Sequence, residues 1–528
     1  MLVRPSAVRL VYAIVAVALV LSPGGAVWSA PGGDTQNILI LNRSPGWQMD
    51  PVIQVGSSLR FVEPVYEGLV YYDSQAKVYK PSLAESWQVS KDGLEYVFAL
   101  RRGVVFHDGT PFNAEAVKLS YDRAKTINQG IAFLLTPLKS VEVLDPYQVK
   151  ITLTEPSPAF LYTTFKIKIV SPKAIKEHDV RGDLAQGWLQ SNAVGTGPFE
   201  LVKYDPQTEI VYRRFAQYWK GWQGRHLDTV TFRLVVEPAT QRQMLERGDA
   251  DMVVDQILPQ DIPALKRNPQ IALDIWPGGL IMYITIRSDR GPLANRKLRQ
   301  ALSYTFPYGE VQQAFPGTVA PARGPLPKSL PEHDNALPAP KQDLTKARAL
   351  LAEAGYPNGG LTFTIIMVQA QASERIAAEL FQNALAQLNI RLNIQELVWP
   401  VMVAKSRNED EAADMTFLIR DAGMPAADSI LTQVFHSGSR GKVYNWGWYK
   451  NELLDRVLTR ARVTVDTNRR FELYRQAQRI IVGDAPAIFV MEVASFFGRR
   501  AWVKGFNPDF ILPHRLNLQD MYIEGRGR

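Results

Sequence analysis

The clearest alternation of apolar and polar positions begins at residue 343. After Asp343, apolar residues recur at the spacing of one helix face, and the Asp343 side chain can cap the first turn. Gly355 and Pro357 follow the last apolar position and are typical of a helix end. The pattern therefore predicts an amphipathic helix between residues 343 and 355.

In residues 361–398 the spacing of apolar positions changes from that of a strand to that of a helix and back. Residues 361–367 are apolar at every second position, which predicts a strand, and a helix with one apolar face starts at Ser373. A further strand covers residues 391–398. Strand, helix and strand with short connections form a βαβ unit, so the sheet is predicted to be at least partly parallel. Such sheets bind ligands beyond the carboxyl ends of their strands, which directs attention to the residues after 398 and after 419.

Residues 81–124 carry the most informative local pattern in the first half of the chain. Residues 96–100 are apolar, aromatic or β-branched and predict a strand, and residues 107–111 predict a turn. Asn113 can cap the helix that follows, with Glu115 in its positively polarised first turn. We expect this strand, turn and helix to be structural, because the stretch contains no nucleophile, general base or metal cluster.

The same stretch, PSLAESWQVSKDGLEYVFALRRGVVFHDGTPFNAEAVKLSYDRA, resembles the signature region of the family 5 extracellular solute-binding proteins. Members of that family hand peptides, nickel complexes or related solutes to ABC importers. Further blocks that resemble the family are residues 65–73, 194–201, 245–254 and 292–304, and in the last of these Asn295 can cap a helix. The resemblance runs from about residue 38 to 511. It implies an α/β, two-lobed periplasmic-binding-protein-like fold of the class II type, with an extra domain inserted in the first lobe.

The resemblance also implies a division of the chain into six segments. These are a signal peptide (1–29), the first lobe in two parts (30–79 and 194–279), the inserted domain (80–193), the second lobe (280–497) and a return to the first lobe with a C-terminal tail (498–528). Within the second lobe, residues 315–340 are rich in proline and predict a long surface loop without regular structure.

The N-terminus predicts a secretory signal. Arg4 and Arg9 precede an unbroken apolar run of twelve residues, 10–21. This run is shorter than the roughly 20 residues that span a bilayer as a helix. Cleavage after Ser29 or after Ala26 fits the small residues that follow, and an uncleaved anchor is the alternative.

Composition narrows the class of protein. The 528 residues are 46% hydrophobic, which suits two or three folded domains. The formal charge is +8, and removal of Arg4 and Arg9 leaves 58 basic against 52 acidic residues, or +6. These charges are interspersed, so no nucleic acid partner is predicted.

The chain contains no cysteine, which excludes disulfides, thiolate metal sites, cysteine catalysis and a lipid-modified cysteine. An untethered receptor would be lost from a cell with a single membrane. We therefore expect a periplasmic protein without a lipid anchor, and a monomer.

Two adjacent charged residues follow the apolar strand predicted over residues 415–419. The resemblance places Asp421 where peptide-binding members receive the α-ammonium group of the ligand, although residues 422–424 depart from the family pattern. A turn-forming aspartate is the alternative. Arg420 is a further candidate for ligand contact, but its side chain alternates to the opposite side of the strand, which favours a surface or hinge position.

Three aromatic residues are also candidates for ligand contact. Trp399 and Tyr283 match aromatic residues that line the pocket in peptide-binding relatives, and Trp446 belongs to an aromatic group around residues 444–449. Large rings supply apolar walls, and a tyrosine hydroxyl can bond a peptide backbone. Plain core packing is the alternative for each ring.

The six histidines suggest neither a metal site nor a cofactor. None lies three or four residues from another, so no ligand pair is visible on a helix or loop, and His436 is expected to be structural.

These observations favour a receptor that takes di- or oligopeptides by lobe closure, not an enzyme, and that delivers them to ABC permease subunits. A nickel complex, an opine or an oligosaccharide is the alternative ligand. A periplasmic hydrolase is a remote alternative, because no Gly-x-Ser-x-Gly elbow, zincin helix or P-loop is present.

Overall fold

The computed structural model describes residues 36–42, 48–53, 59–254, 257–369, 371–421, 426–442, 444–509, 512 and 515–526. The predicted signal peptide, residues 1–29, lies outside the described residues. In chain order the strands are β1 (Asn37–Asn42), β2 (Val70–Asp73), β3 (Val78–Pro81), β4 (Ala84–Val89), β5 (Glu95–Leu100), β6 (Leu138–Asp145), β7 (Gln148–Leu153), β8 (Phe199–Asp205), β9 (Glu209–Arg214), β10 (Thr229–Leu234), β11 (Met252–Val253), β12 (Ile271–Ile286), β13 (Val319–Pro321), β14 (Leu361–Val368), β15 (Ile390–Leu397), β16 (Met415–Asp421), β17 (Ala487–Arg500), β18 (Val503–Lys504) and β19 (Tyr522–Ile523).

The helices alternate with these strands along much of the chain. They are α1 (Leu59–Val62), α2 (Ala114–Ile127), α3 (Phe160–Lys166), α4 (Pro172–Glu177), α5 (Gln186–Leu189), α6 (Pro238–Arg247), α7 (Ile262–Arg267), α8 (Arg296–Thr305), α9 (Tyr308–Ala314), α10 (Leu344–Glu353), α11 (Ala372–Ala386), α12 (Trp399–Arg407), α13 (Asp428–Phe435), α14 (Glu452–Val463) and α15 (Thr467–Asp484). No helix in the described ranges is long and apolar enough to cross a membrane.

Several predicted helix starts are confirmed by their caps. The side chains of Asn113, Asn295 and Asp343 each accept a hydrogen bond from a backbone N–H in the first turn of α2, α8 and α10. These bonds satisfy donors that have no partner inside the helix. Capping depends on residues next to each other in sequence, and this is why sequence alone located these starts.

A mixed sheet runs through both halves of the molecule in the order β15-β14-β16-β12-β17-β11-β1-β10-β9-β8, with β13 paired to β17. Strand β14 pairs in parallel with β15 and with β16, and α11 connects β14 to β15. The predicted βαβ unit is therefore confirmed. The carboxyl ends of β14, β15 and β16 lie at one edge of this part of the sheet.

Two long strands, β12 and β17, cross from one half of the sheet to the other. Strand β17 pairs with β11 through Gly498 and Arg499, whereas β12 pairs with β16 through its last seven residues, 280–286. The register between β12 and β17 shifts between Trp276 and Leu280. The two halves are thus joined by continuous backbone, while the division into six segments stays a prediction.

The region predicted to be inserted has its own sheet. Strands β4, β5, β7 and β6 form a four-stranded antiparallel sheet in that order, separate from the large sheet. Helix α2 packs on it, and the buried rings of Tyr96 on β5 and Phe160 on α3 lie 5.1 Å apart between centroids. The same buried apolar cluster includes Leu473 and Tyr474 of α15. The inserted region therefore packs against the second half of the chain.

The prediction of a surface loop over residues 315–340 is wrong. Strand β13 pairs with β17, and Leu326, Leu330 and His333 are buried. The side chain of Gln478 on α15 donates to the carbonyl of Glu332 and accepts from the amide of Asp334. Prolines prevent regular hydrogen bonding within this segment, but partners on a distant helix and strand replace it.

Candidate ligand-binding site

The edge formed by the carboxyl ends of β14, β15 and β16 carries several of the predicted site residues. Strand β15 ends at Leu397, and Trp399 opens α12 two residues later, with Pro400 in the first turn. Proline suits this position because the first helical N–H groups have no partner inside the helix. Arg420 and Asp421 are the last two residues of β16.

Trp399 and Trp446 come together in an aromatic cluster with Tyr444. The ring centroids of Trp399 and Trp446 are 5.7 Å apart, and those of Tyr444 and Trp446 are 5.6 Å apart. Trp446 is 1% exposed, whereas Trp399 remains 42% exposed. One ring is thus a fixed wall, and the other presents an apolar face to solvent.

Arg420, which is half-buried, belongs to the same cluster, and its predicted surface or hinge position stays a prediction. Its guanidinium carbon lies 3.7 Å from the centroid of the Tyr444 ring, and its Nη2 donates to Gln433 Oε1 at 3.0 Å. The side of β16 that carries the Arg420 side chain therefore faces Tyr444 and Gln433 of α13. Stacking on an aromatic ring stabilises a guanidinium while leaving its edge available for hydrogen bonds.

Two N–H donors of the cluster have no acceptor within the described part of the chain. They are Nε of Arg420 and Nε1 of Trp446, and both atoms are buried. Leaving a buried donor unsatisfied costs about 1–3 kcal/mol, and more for a charged group. Such donors are tolerated where a bound molecule supplies the acceptor.

Tyr283 lies beneath the cluster. It is 0% exposed, pairs with Leu418 of β16 across the sheet, and packs against Phe435 and Phe489 at centroid distances of 6.3 Å each. In this arrangement Tyr283 is part of the floor and has no surface that a ligand could touch.

Asp421 ends β16 opposite Leu280 of β12. Its side chain, and residues 422–425 after it, lie outside the described residues. The predicted contact between Asp421 and an ammonium group therefore stays a prediction.

The sequence model of the family described as bacterial extracellular solute-binding proteins, family 5 middle, matches residues 78–442. The chain belongs to family 5 of the bacterial extracellular solute-binding proteins. Family 5 proteins are solute-binding receptors and not enzymes.

Individual relatives extend the family 5 match over most of the chain. The chain is 31% identical to the glutathione-binding protein GsiB of Pectobacterium atrosepticum, over 85% of this chain and 89% of that protein. It is 28% identical to the probable D,D-dipeptide-binding periplasmic protein DdpA of Escherichia coli K12, over 92% and 94%.

Among solved structures, the chain resembles the ABC transporter-associated periplasmic binding protein DppA of Helicobacter pylori. That match has a TM-score of 0.80 at 24% identity and covers 93% of this chain and 98% of that one. The fold is therefore the two-lobed α/β fold of family 5.

In this family 5 chain, two buried carboxylates near the cluster were missed by sequence reasoning. Arg420, Ile281 and Glu492 are in register across β16, β12 and β17, so their side chains share one face of the sheet. Two strand spacings place the backbones of Arg420 and Glu492 about 10 Å apart. Glu492 accepts from the Lys328 amide at 3.3 Å, and burial raises the pKa of its carboxyl. A lone charge in the apolar run 488–494 was the available signal.

The second missed carboxylate is Glu374, in the first turn of α11. Its Oε2 accepts from the amide of Val368, the last residue of β14, at 3.1 Å. Burial raises the pKa of Glu374 to about 7. Within the described ranges no group of three or more histidine, aspartate or glutamate side chains could hold a metal ion. The site offers apolar walls, one stacked cation and two unfilled donors.

Proposed function

We propose that this family 5 receptor binds a short peptide with free termini between its two lobes and delivers it to an ABC importer. Two relatives that span most of the chain are named for glutathione and for D,D-dipeptides. Both ligands are short peptides that end in a carboxylate. Lobe closure is stabilised only if the ligand binds the closed arrangement better than the open one.

The observation that carries this proposal is the pair of unsatisfied donors, Arg420 Nε and Trp446 Nε1. Both residues contact the Tyr444 ring, and we propose that one acceptor group of the ligand bonds both donors. A peptide carboxylate or carbonyl supplies that acceptor, and the carboxylate also neutralises the guanidinium. A charge-assisted hydrogen bond of this kind is short and strong in a site that excludes water.

The rest of the peptide would be held by less specific contacts. Trp399 would cover an apolar side chain, because its ring is both exposed and fixed against Trp446. Asp421 remains our proposed acceptor for the ammonium group, since it follows Arg420 directly at the end of β16.

We also propose that the protein is exported through the leader at residues 1–29 and works in the periplasm as a monomer without a lipid anchor. The apolar run at residues 10–21 and the absence of cysteine support this proposal.

Binding of modified peptides tests the ligand class. Glutathione, Ala-Ala and D-Ala-D-Ala are titrated by calorimetry beside their N-acetylated and C-amidated forms. We expect micromolar binding of at least one free peptide, and at least tenfold weaker binding of its C-amide, because the amide removes the charge that faces Arg420. N-acetylation should weaken binding if Asp421 holds the ammonium group. The proposal fails if no free peptide binds, or if the amide binds as well as the acid.

A further inference from the structure

A cavity of about 440 Å³ lies between the inserted region and the second half of the chain. One wall comes from the hairpin β2–β3 and from residues 133–163, and the other from residues 331–332 and helices α13, α14 and α15. The cavity adjoins the aromatic cluster at one residue, Gln433, which lines the cavity and accepts from Arg420. None of Trp399, Arg420, Tyr444 and Trp446 lines it.

A buried carboxyl faces this cavity without a full set of partners. Glu332 is 4% exposed, and its Oε2 has no hydrogen-bond partner within the described ranges. Burial raises the pKa of Glu332 to about 7, against backbone hydrogen bonds and the charges of Arg470 and Lys77 that lower it. An unpaired buried carboxylate is unfavourable unless a cation or a donor reaches it.

A second acid and three phenol rings line the same space. Asp428 Oδ1 accepts from the Thr432 hydroxyl at 2.6 Å, and burial raises the pKa of the Asp428 carboxyl. Tyr72 and Tyr79 pack at a centroid distance of 5.0 Å, and Tyr474 lies on the facing helix α15. Carboxylates together with aromatic faces are the groups that bind ammonium ions in proteins.

The basic side chains of the cavity are engaged elsewhere or lie at its mouth. Arg462 and Glu155, 45% and 47% exposed, form an ion pair of 3.8 Å across the opening. Arg470 donates to the carbonyls at residues 464 and 465, and Lys77 is exposed. The inner carboxyls of Glu332 and Asp428 therefore have no ion pair closer than 4 Å with a described basic side chain.

We propose that this cavity is a second ligand site, which takes a small organic amine. The ammonium group lies beside Glu332 and Asp428, and the carbon chain lies against the tyrosine rings. Because the two walls belong to different halves of the molecule, an amine bound here favours the arrangement in which those halves are packed together. This site is independent of the peptide proposed above, since it uses none of the four residues of the aromatic cluster.

Calorimetry with 1,4-diaminobutane at pH 8 tests the site. We expect saturable binding of the diamine and none of 1,4-butanediol, which has the same length but no charge. Glu332→Gln should weaken diamine binding at least tenfold, while Glu379→Gln, an exposed change on α11, should leave it unchanged. Glu332→Gln keeps the side-chain shape and removes a buried ionisable group, so we expect its melting temperature not to fall. Absence of diamine binding, or equal binding by Glu332→Gln, overturns the proposal.

A second experiment separates this cavity from the peptide site. Arg420→Gln should retain the wild-type affinity for 1,4-diaminobutane, and any peptide that binds the wild type should not displace the diamine. Loss of diamine binding in Arg420→Gln, or displacement by the peptide, would mean that the cavity is an extension of the peptide site, and the proposal of a second site would be wrong.

Discussion

Arg515 and Arg420 each stack on a tyrosine, but their surroundings differ. The guanidinium carbon of Arg515 lies 4.0 Å from the ring centroid of Tyr71, and Arg515 has two acidic partners, Glu63 at 3.4 Å and Asp509 at 3.1 Å. The guanidinium carbon of Arg420 lies 3.7 Å from the centroid of Tyr444, with the neutral Gln433 as its hydrogen-bond partner.

The difference separates a structural cation from the one that we propose bonds a ligand. Arg515 also donates to the Tyr72 carbonyl, and Lys168 bonds Glu63 at 3.3 Å, so charge is balanced around it even though its Nη2 has no partner in the described part. This network ties Asp509 and Arg515 to Glu63 and Tyr72, more than 400 residues earlier in the chain. Arg420 has no comparable carboxylate contact among the described side chains, and a ligand carboxylate would complete its environment.

The largest effect is expected from breaking the structural network. Arg515→Gln should lower the free energy of unfolding by about 3–5 kcal/mol, because it leaves Glu63 and Asp509 buried with fewer positive partners. Urea unfolding measures this change. Arg213→Gln, which removes an exposed ion pair with Glu200, is the matched control and should change stability by less than about 0.5 kcal/mol. A loss below about 1 kcal/mol for Arg515→Gln would contradict the structural role.

At Arg420 we expect the opposite, a large loss of peptide binding with little change in stability. Arg420→Gln should weaken binding of a free peptide about 100-fold, or about 2.7 kcal/mol, because the charged partner of the carboxylate is lost. Its melting temperature should stay close to that of the wild type. Arg391→Gln, an exposed change on β15 of the same sheet, is the control for loss of a positive charge. If Arg420→Gln unfolds at much lower temperature while binding normally, the two arginines do not differ in role.

The same comparison, between a carboxylate with charged partners and one without, predicts how stability depends on pH. Glu63 has two basic partners, whereas burial raises the pKa of Glu374 to about 7, above the ordinary value near 4.5. The unfolded chain therefore loses this proton at lower pH than the folded protein. The contribution of Glu374 to stability then falls as pH rises from about 4.5 to 7.

Glu374→Gln should consequently raise the free energy of unfolding by about 2 kcal/mol at pH 8 and change it little at pH 4. Urea unfolding at both pH values measures the difference. Glu379→Gln, exposed on the same helix, should show no such pH dependence. Equal effects of Glu374→Gln at pH 4 and pH 8 would contradict the expected titration.

The smallest effect is expected at Trp446. Trp446→Phe keeps a ring against Trp399 but removes the unsatisfied Nε1–H, so peptide binding should weaken about five- to tenfold, near 1 kcal/mol. Stability should fall only slightly, because removal of the unpaired buried donor offsets part of the packing that the smaller ring loses. Calorimetry and thermal unfolding of the same variant check both points, and unchanged peptide affinity would exclude the indole N–H from the ligand contact.

Sequence reasoning succeeded where neighbouring residues decide the structure. The caps at Asn113, Asn295 and Asp343 and the βαβ unit of β14, α11 and β15 follow from local spacing. It failed at residues 315–340. The prolines there show that the segment cannot form regular internal hydrogen bonds, but they do not show whether other parts of the protein bury it. Sequence reasoning also could not give the surroundings of Arg420, which come from Tyr444 and Gln433, more than ten residues away in the chain.

The sequence by itself determined the family, because the blocks that resemble it are recognisable in the chain. It also determined the helices and strands between residues 343 and 419, and the edge of the sheet where ligand contacts were expected, because these depend on short spacings. Only the tertiary structure decided which side chains meet at that edge. The row of Arg420, Ile281 and Glu492 exists because three strands distant in sequence pair in one register. The cavity beside Glu332 exists because the inserted region packs on helices that begin about 270 residues later. Register and packing between distant segments are set by the whole fold, and no local pattern specifies them.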